Sequence, residues 1–120
     1  MEVSFLSIDL NTYLEIKVKF FRGFADKTRL GILEALKDGE KTVSEIVEHT
    51  AGKCGNQSNI SQNLSCLRGC GVIIGRQEEK YTYYRIRNNE IIKFMKQADA
   101  ILQGITTEVW RCTQNDKLLD

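Results

Sequence analysis

Two cysteines, Cys66 and Cys70, stand at a spacing that suits metal binding. On an α-helix, side chains four positions apart lie on one face, with their Cβ atoms about 5–6 Å apart. Two thiolates at that separation can bind one ion through metal–sulfur bonds of about 2.3 Å, whereas a disulfide between them needs a strained geometry. Thiolates are soft ligands that favour Cd(II), Pb(II), Hg(II), As(III), Zn(II) or Cu(I) over Mg(II) or Ca(II). The alternative is that both cysteines are apolar fillers of a buried helix face.

The other candidate ligands are Cys54, Cys112 and the only histidine, His49. Cys54 lies about 15 Å from Cys66 if the intervening residues are helical at 1.5 Å each, so we expect a free thiol there. We expect Cys112 in a C-terminal tail, with Trp110 as a docking anchor. A lone histidine provides little for acid–base catalysis. Since no nucleophile–base pair, phosphate-binding loop or carboxylate dyad is recognisable, we do not expect an enzyme.

The composition is that of an ordinary globular protein. The chain has 120 residues, of which 42% are hydrophobic and 28% charged, and it contains no proline. No apolar run is long enough for a membrane span, and the N-terminus lacks the pattern of a signal peptide, so we expect a single cytoplasmic domain. The net charge is only +1, but residues 53–87 carry six basic and two acidic side chains. This basic middle is consistent with one phosphate-binding face.

Apolar residues at spacings of three and four predict four helices in the first part of the chain. The first spans 9–21, the second begins at the N-cap Asp26, the third begins at Thr42 or Ser44, and the fourth spans 56–70. Amides and hydroxyls cover the polar side of the fourth helix. Such groups both donate and accept hydrogen bonds at base edges, which indicates a nucleic-acid-reading surface.

The pattern then changes to the period of two that is typical of strands. Residues 72–74 and 81–87 predict a hairpin joined through 77–80. A last helix follows from Asn89 and carries a heptad-like apolar seam, which consists of Ile91, Met95, Ala98, Leu102 and Ile105. A seam on a terminal helix of a small domain usually pairs with another chain, so we expect a homodimer.

The predicted fold class is therefore mainly α with a small β-hairpin, in the order of a winged helix-turn-helix. In this interpretation, residues 24–87 form the DNA-binding core. Residues 1–21 and 89–120 supply the first and last helices, through which the protein dimerises. The fourth helix is the recognition helix and the hairpin is the wing.

Four segments of the sequence carry a family resemblance. FADKTRLGIL at 24–33 is similar to "LADPTRLRIL", and NQSNISQNL at 56–64 is similar to the recognition helix "SQSTVSRHL". LRGCGVI at 67–73 is similar to "LREAGLV", and YYRI at 83–86 to "YYRL". Together these segments resemble the ArsR/SmtB family of transcriptional repressors. The resemblance implies a homodimer that binds double-stranded operator DNA and leaves it when a metal or another inducer binds.

The cysteines resemble one branch of that family. The chain has no Cys-x-Cys pair and no histidine between 89 and 105, so the usual arsenic- and zinc-type sites are absent. The pattern is most similar to the cadmium- and lead-sensing CmtR branch, in which two recognition-helix cysteines join one from the partner's tail. The resemblance implies Cys66, Cys70 and Cys112 as ligands of Cd(II) or Pb(II), with Zn(II) or As(III) as further candidates. Two departures are Lys27 in place of a proline and a longer turn at 52–55.

The same resemblance implies a DNA interface on the recognition helix and the wing. The expected contacts to bases come from the exposed polar residues Gln57, Ser58, Asn59, Ser61 and Gln62, and those to phosphate from Arg76 and Lys80.

Two alternatives to a metal-responsive repressor stay open. One is a repressor that senses thiol oxidation or persulfide through the same cysteines. The other is a winged-helix interaction module that binds no DNA.

Overall fold

The computed structural model describes residues 4–119, and the order of its elements confirms the predicted fold class. A short 3-10 helix, Phe5–Ser7, precedes α1 (Leu10–Arg22), α2 (Lys27–Leu36), α3 (Val43–His49), α4 (Gln57–Gly69), β1 (Ile73–Glu78), β2 (Tyr81–Ile86) and α5 (Asn89–Leu119). The chain divides after Arg87 into two compact units. The first contains α1 to β2, and the second contains α5.

The helices begin where local side chains satisfy their first backbone N–H groups. The Asp26 carboxylate accepts from the backbone N–H of Arg29 at 3.1 Å, as the N-cap prediction requires. At α3 the structure selects Thr42 from the two predicted starts. The Thr42 hydroxyl accepts from the backbone N–H of Glu45 at 3.2 Å, while the Glu45 carboxylate accepts from that of Thr42 at 3.0 Å. These hydrogen bonds also lower the pKa of Glu45.

The core of the first unit lies between α2, α3, α4 and the hairpin. Ile60, Leu64 and Leu67, the apolar residues of α4 that the spacing predicted, are fully buried. They meet residues from the other elements, and the remaining buried side chains of this core are Ile32, Leu33, Ala35, Leu36, Ile46, Val72, Ile73 and Ile86. Burial of one whole side of α4 fixes which of its side chains face solvent.

The hairpin is longer than predicted. Its antiparallel register runs from Ile73 opposite Ile86 to Glu78 opposite Tyr81, so only Glu79 and Lys80 form the turn. The expected connection at 77–80 was wrong by two residues, because Gln77 and Glu78 belong to the ladder. Glu79 takes a positive φ of 56° in this turn. The strands therefore extend a narrow wing beyond the core.

The second unit is one helix of 31 residues. It continues through Gly104 to Leu119, so the predicted tail around Cys112 is helical instead. The predicted apolar seam passes from buried to exposed along this helix. Ile91 and Met95 are buried, whereas Leu102 and Ile105 are exposed. The apolar stripe of α1 is also exposed, and it consists of Leu10, Leu14, Val18 and Phe21. Within residues 4–119, no helix combines the length and hydrophobicity that a membrane crossing needs.

Candidate nucleic-acid interface and thiol site

The outer side of α4 carries every residue predicted to read bases. Its N-cap is Asn56, whose side-chain oxygen accepts from the backbone N–H of Asn59 at 3.0 Å. Just before it, Gly55 has a φ of +111°, and a Cβ built there would lie 2.9 Å from the Asn59 side chain. Gly55 and the Asn56 cap together form the tight turn from which α4 begins. All five predicted contacts are exposed, namely Gln57, Ser58, Asn59, Ser61 and Gln62.

A groove joins the recognition helix to the wing. It has a volume of about 310 Å³, and Gln57 and Ser61 line it together with Lys80 at the hairpin turn. The Gln57 amide donates to the Ser44 hydroxyl at 2.9 Å, which ties the start of α4 to α3. The other residues of the groove are Thr42, Val43, Ser44, Tyr81, Thr82 and Tyr84. A DNA strand against this groove would meet hydroxyls and a lysine ammonium, both of which bind phosphate.

Arg76, the other predicted phosphate contact, has a different setting. Its guanidinium forms ion pairs with Glu40 and with Glu78, the latter at 2.9 Å, and lies 4.7 Å from the Tyr83 ring centroid. The hydrogen bonds to Glu40 and Glu78 raise the pKa of Arg76, and the hydrogen bond from Arg76 lowers the pKa of Glu40. Two carboxylates thus compensate the charge of Arg76. Lys80 is the wing cation whose ammonium instead lies 5.6 Å from the Tyr81 ring centroid.

The cysteine pair lies at the opposite end of α4. Cys66 is exposed in the last turn, and Cys70 is the half-buried C-cap, whose backbone N–H donates to the Cys66 carbonyl at 3.0 Å. Neither is a fully buried apolar filler. Both thiols are free and line one open cleft of about 260 Å³. Gly69 lies between them on its wall, where a Cβ would meet nothing within 4 Å.

Three cationic residues line the same cleft. They are Lys19 and Arg22 from α1 and Arg29 from α2. The Arg29 guanidinium donates to the Arg22 carbonyl at 2.9 Å and to the Asn63 side-chain oxygen of α4 at 3.4 Å. Sequence reasoning missed these residues, because nothing in their local pattern links them to cysteines more than thirty positions away.

The remaining cysteines lie outside this cleft. The Cys54 sulfur packs against α2, since a Cβ built on Gly31 would lie only 2.2 Å from it. Cys112 is exposed on α5, in the second unit. Among the described residues, no three His, Cys, Asp or Glu side chains are grouped closely enough to hold a metal ion. Cys66 and Cys70 can therefore supply two thiolates, and any third protein ligand would have to come from outside this cleft.

These features define a winged helix-turn-helix DNA-binding protein with a pair of accessible thiols on its recognition helix. Residues 26–74 match the family described as "Bacterial regulatory protein, arsR family". The chain belongs to the ArsR family of transcriptional repressors, and it is a DNA-binding regulator rather than an enzyme.

Two curated relatives and one solved structure illustrate the similarity. The probable mercury resistance operon repressor of Streptomyces lividans is 32% identical over 86% of this chain and 80% of its own. The transcriptional regulator CmtR of Mycobacterium tuberculosis is 30% identical over 72% of this chain and 71% of its own. A homodimeric winged helix-turn-helix DNA-binding domain from Mycobacterium bovis is 25% identical with a TM-score of 0.70, covering 87% of this chain and 95% of that one.

Proposed function

We propose that this protein is a cytoplasmic, homodimeric repressor that leaves operator DNA when Cd(II) or Pb(II) binds to Cys66, Cys70 and Cys112 of the partner subunit. The observation that carries the proposal is the shared cleft of Cys66 and Cys70 at one end of α4. The other end of that helix exposes the polar side chains suited to base edges. A metal in the cleft would therefore act on the element that reads DNA.

The DNA half of the proposal rests on the groove between α4 and the wing. Gln57 and Ser61 line it beside Lys80, so a duplex read by α4 would bring a phosphate strand towards the lysine. Ser58, Asn59 and Gln62 extend the same exposed face. Arg76 contributes less, because Glu40 and Glu78 already compensate its charge.

The metal half rests on the chemistry of the thiols and on the relatives. Two thiolates in one open cleft favour soft ions, and the similar proteins include a mercury resistance repressor and CmtR. A third thiolate from Cys112 of the partner subunit would complete a three-sulfur site for Cd(II) or Pb(II). Zn(II) and As(III) are the next candidates by the same chemistry.

The homodimer is supported by exposed apolar residues on both terminal helices. Leu14 and Val18 of α1 and Leu102 and Ile105 of α5 face solvent in the single chain, and the similar domain from M. bovis is homodimeric. We expect Leu102→Glu to produce monomers in analytical ultracentrifugation. A wild-type protein that sediments as a monomer at micromolar concentration would contradict this assignment.

The mechanism is a coupling between two sites on one helix. A dimer fits two half-sites about 34–36 Å apart only at one spacing of its recognition helices. A metal that joins Cys66 and Cys70 to Cys112 of the partner subunit would favour another spacing and so weaken DNA binding. By linkage, DNA must weaken metal binding by the same factor, for which about 5–150-fold is typical.

The test is release of a DNA duplex under strict reduction. The probe is a fluorescent duplex selected from a random pool by the wild-type protein, and release is followed by anisotropy during Cd(II) titration. We expect Cys66→Ser and Cys70→Ser to keep their DNA affinity and to lose release. Cys54→Ser is the matched control, because its sulfur packs against Gly31 outside the cleft, and it should respond as the wild type does.

Two outcomes would overturn the metal proposal. Full release of the Cys66→Ser variant by Cd(II) would show that the site is wrong. Release of the wild type by a thiol oxidant or a persulfide, but not by Cd(II) or Pb(II), would favour the redox alternative.

A further inference from the structure

Cationic residues make up half of the lining of the cleft that holds Cys66 and Cys70. Three of its six lining residues are Lys19, Arg22 and Arg29, and none of the six, all within the described part of the chain, is acidic. A divalent cation would be repelled by such a wall until thiolates neutralise it. The charge of the complete complex, rather than that of the free ion, must therefore decide which metal the cleft accepts.

The helix dipole does not account for this arrangement. Lys19 and Arg22 lie in the last turn of α1, where basic side chains are favourable in any helix. Arg29, however, belongs to α2 and enters the cleft wall from another direction. Its guanidinium is held by the Arg22 carbonyl at 2.9 Å and by Asn63 at 3.4 Å. One cation of the wall is thus fixed by hydrogen bonds to both neighbouring helices.

The number of thiolates sets the charge of the bound complex. Two thiols that bind a divalent ion lose two protons and give a neutral complex. Three thiols react as M²⁺ + 3 RSH → [M(SR)₃]⁻ + 3 H⁺, which leaves one negative charge on the metal and its ligands. Nearby cations stabilise the anionic three-thiolate complex electrostatically, whereas the neutral two-thiolate complex has no net charge for them to attract.

We propose that Lys19, Arg22 and Arg29 form a cationic wall that makes the cleft selective for divalent ions bound as anionic three-thiolate complexes. The inference rests on the proposed function and adds the basis of its metal preference. Cd(II) and Pb(II) take three thiolates readily, whereas Hg(II) forms stable complexes with two. The wall therefore favours Cd(II) and Pb(II) over Hg(II), although all three ions are soft.

The experiment compares two lysines on the same helix. Lys19→Gln removes a cation from the cleft, and Lys17→Gln removes one that does not line it. Affinities of the reduced full-length protein for Cd(II) and Hg(II) are measured by chelator competition through the ultraviolet thiolate-to-metal band. We expect Lys19→Gln to bind Cd(II) about 1.5-fold to fivefold more weakly than the wild type, an effect that high salt reduces. Hg(II) affinity should stay unchanged, and Lys17→Gln should match the wild type for both ions.

A second variant tests whether the effect is confined to Lys19 or is shared by another cation of the wall. Arg22→Gln should weaken Cd(II) binding in the same way, and its addition to Lys19→Gln should deepen the loss. Arg29 is left intact, because its hydrogen bond to the Arg22 carbonyl supports the end of α1. Circular dichroism of each variant confirms that the helices are retained.

The outcomes separate this inference from the proposed function. Equal Cd(II) affinity of Lys19→Gln and Lys17→Gln would overturn the cationic wall and leave the thiol site intact. An equal loss for Cd(II) and Hg(II) would overturn its selectivity. If Cys66→Ser binds Cd(II) as tightly as the wild type, the proposed function itself is wrong.

Discussion

The two ends of α4 share one rigid helix and differ in their chemistry. The N-terminal half exposes neutral amides and hydroxyls, with Gln57 already hydrogen-bonded to Ser44. The C-terminal end carries two accessible thiols beside cationic side chains. Between them, Ile60, Leu64 and Leu67 anchor the opposite side of the helix in the core. The difference shows how one element can bind DNA at one end and a soft ion at the other, with the core as a fixed support.

The largest expected effect comes from loosening that support. Leu64 is fully buried near the middle of α4, so Leu64→Ala should lower the free energy of unfolding by about 2–5 kcal/mol. The measurement is chemical denaturation followed by circular dichroism. Ser65→Ala changes the adjacent exposed position and should leave stability within about 0.5 kcal/mol. Equal stability of the two variants would contradict a buried anchor for α4.

The next effect concerns the wing, where two cations differ in their neighbours. Lys80→Gln should weaken binding to all duplexes and flatten the logarithmic salt slope by about one unit, because one phosphate contact is lost. Arg76→Gln should have a smaller effect, since Glu40 and Glu78 compensate the charge of Arg76. Fluorescence anisotropy at several salt concentrations measures both. A larger loss for Arg76→Gln would reverse the assignment.

The smallest effect is a pH dependence of the link between Arg76 and Glu40. The hydrogen bond from Arg76 lowers the pKa of Glu40 below its usual value of 4.5. A lowered carboxylate pKa contributes stability that is present above the usual pKa and is lost as the pH falls through the folded-state pKa. Acid unfolding of Glu40→Gln should therefore show a weaker pH dependence below about 4.5 than the wild type. Identical acid unfolding curves of Glu40→Gln and the wild type would exclude a contribution of the Arg76–Glu40 pair to stability.

Sequence reasoning succeeded where the signal is local. The N-caps Asp26 and Asn56 and the buried spacing of Ile60, Leu64 and Leu67 follow from hydrogen bonds and periodicity within a few residues. The length of the wing was underestimated, because Gln77 and Glu78 pair through their backbones and carry no apolar alternation. The helix around Cys112 was missed, because the predicted apolar seam ends at Ile105 and no proline marks the end of the helix.

The candidate site likewise has features that local sequence signals predicted and features that they did not. The i,i+4 spacing of Cys66 and Cys70 was sufficient to predict a shared face, and the polar residues of α4 were sufficient to predict its exposed surface. The cationic wall was not predictable, because Lys19, Arg22 and Arg29 reach the cleft only through the packing of three helices. The pairing of Arg76 with Glu40 likewise joins residues 36 positions apart.

The central claim is that the two ends of α4 are thermodynamically coupled. The direct measurement is the affinity of the reduced protein for Cd(II), free and saturated with its selected duplex, alongside its affinity for the duplex with and without Cd(II). We expect DNA to weaken Cd(II) binding, and Cd(II) to weaken DNA binding, by one common factor of about 5–150. A Cd(II) affinity that is the same in the presence and absence of DNA would contradict the coupling.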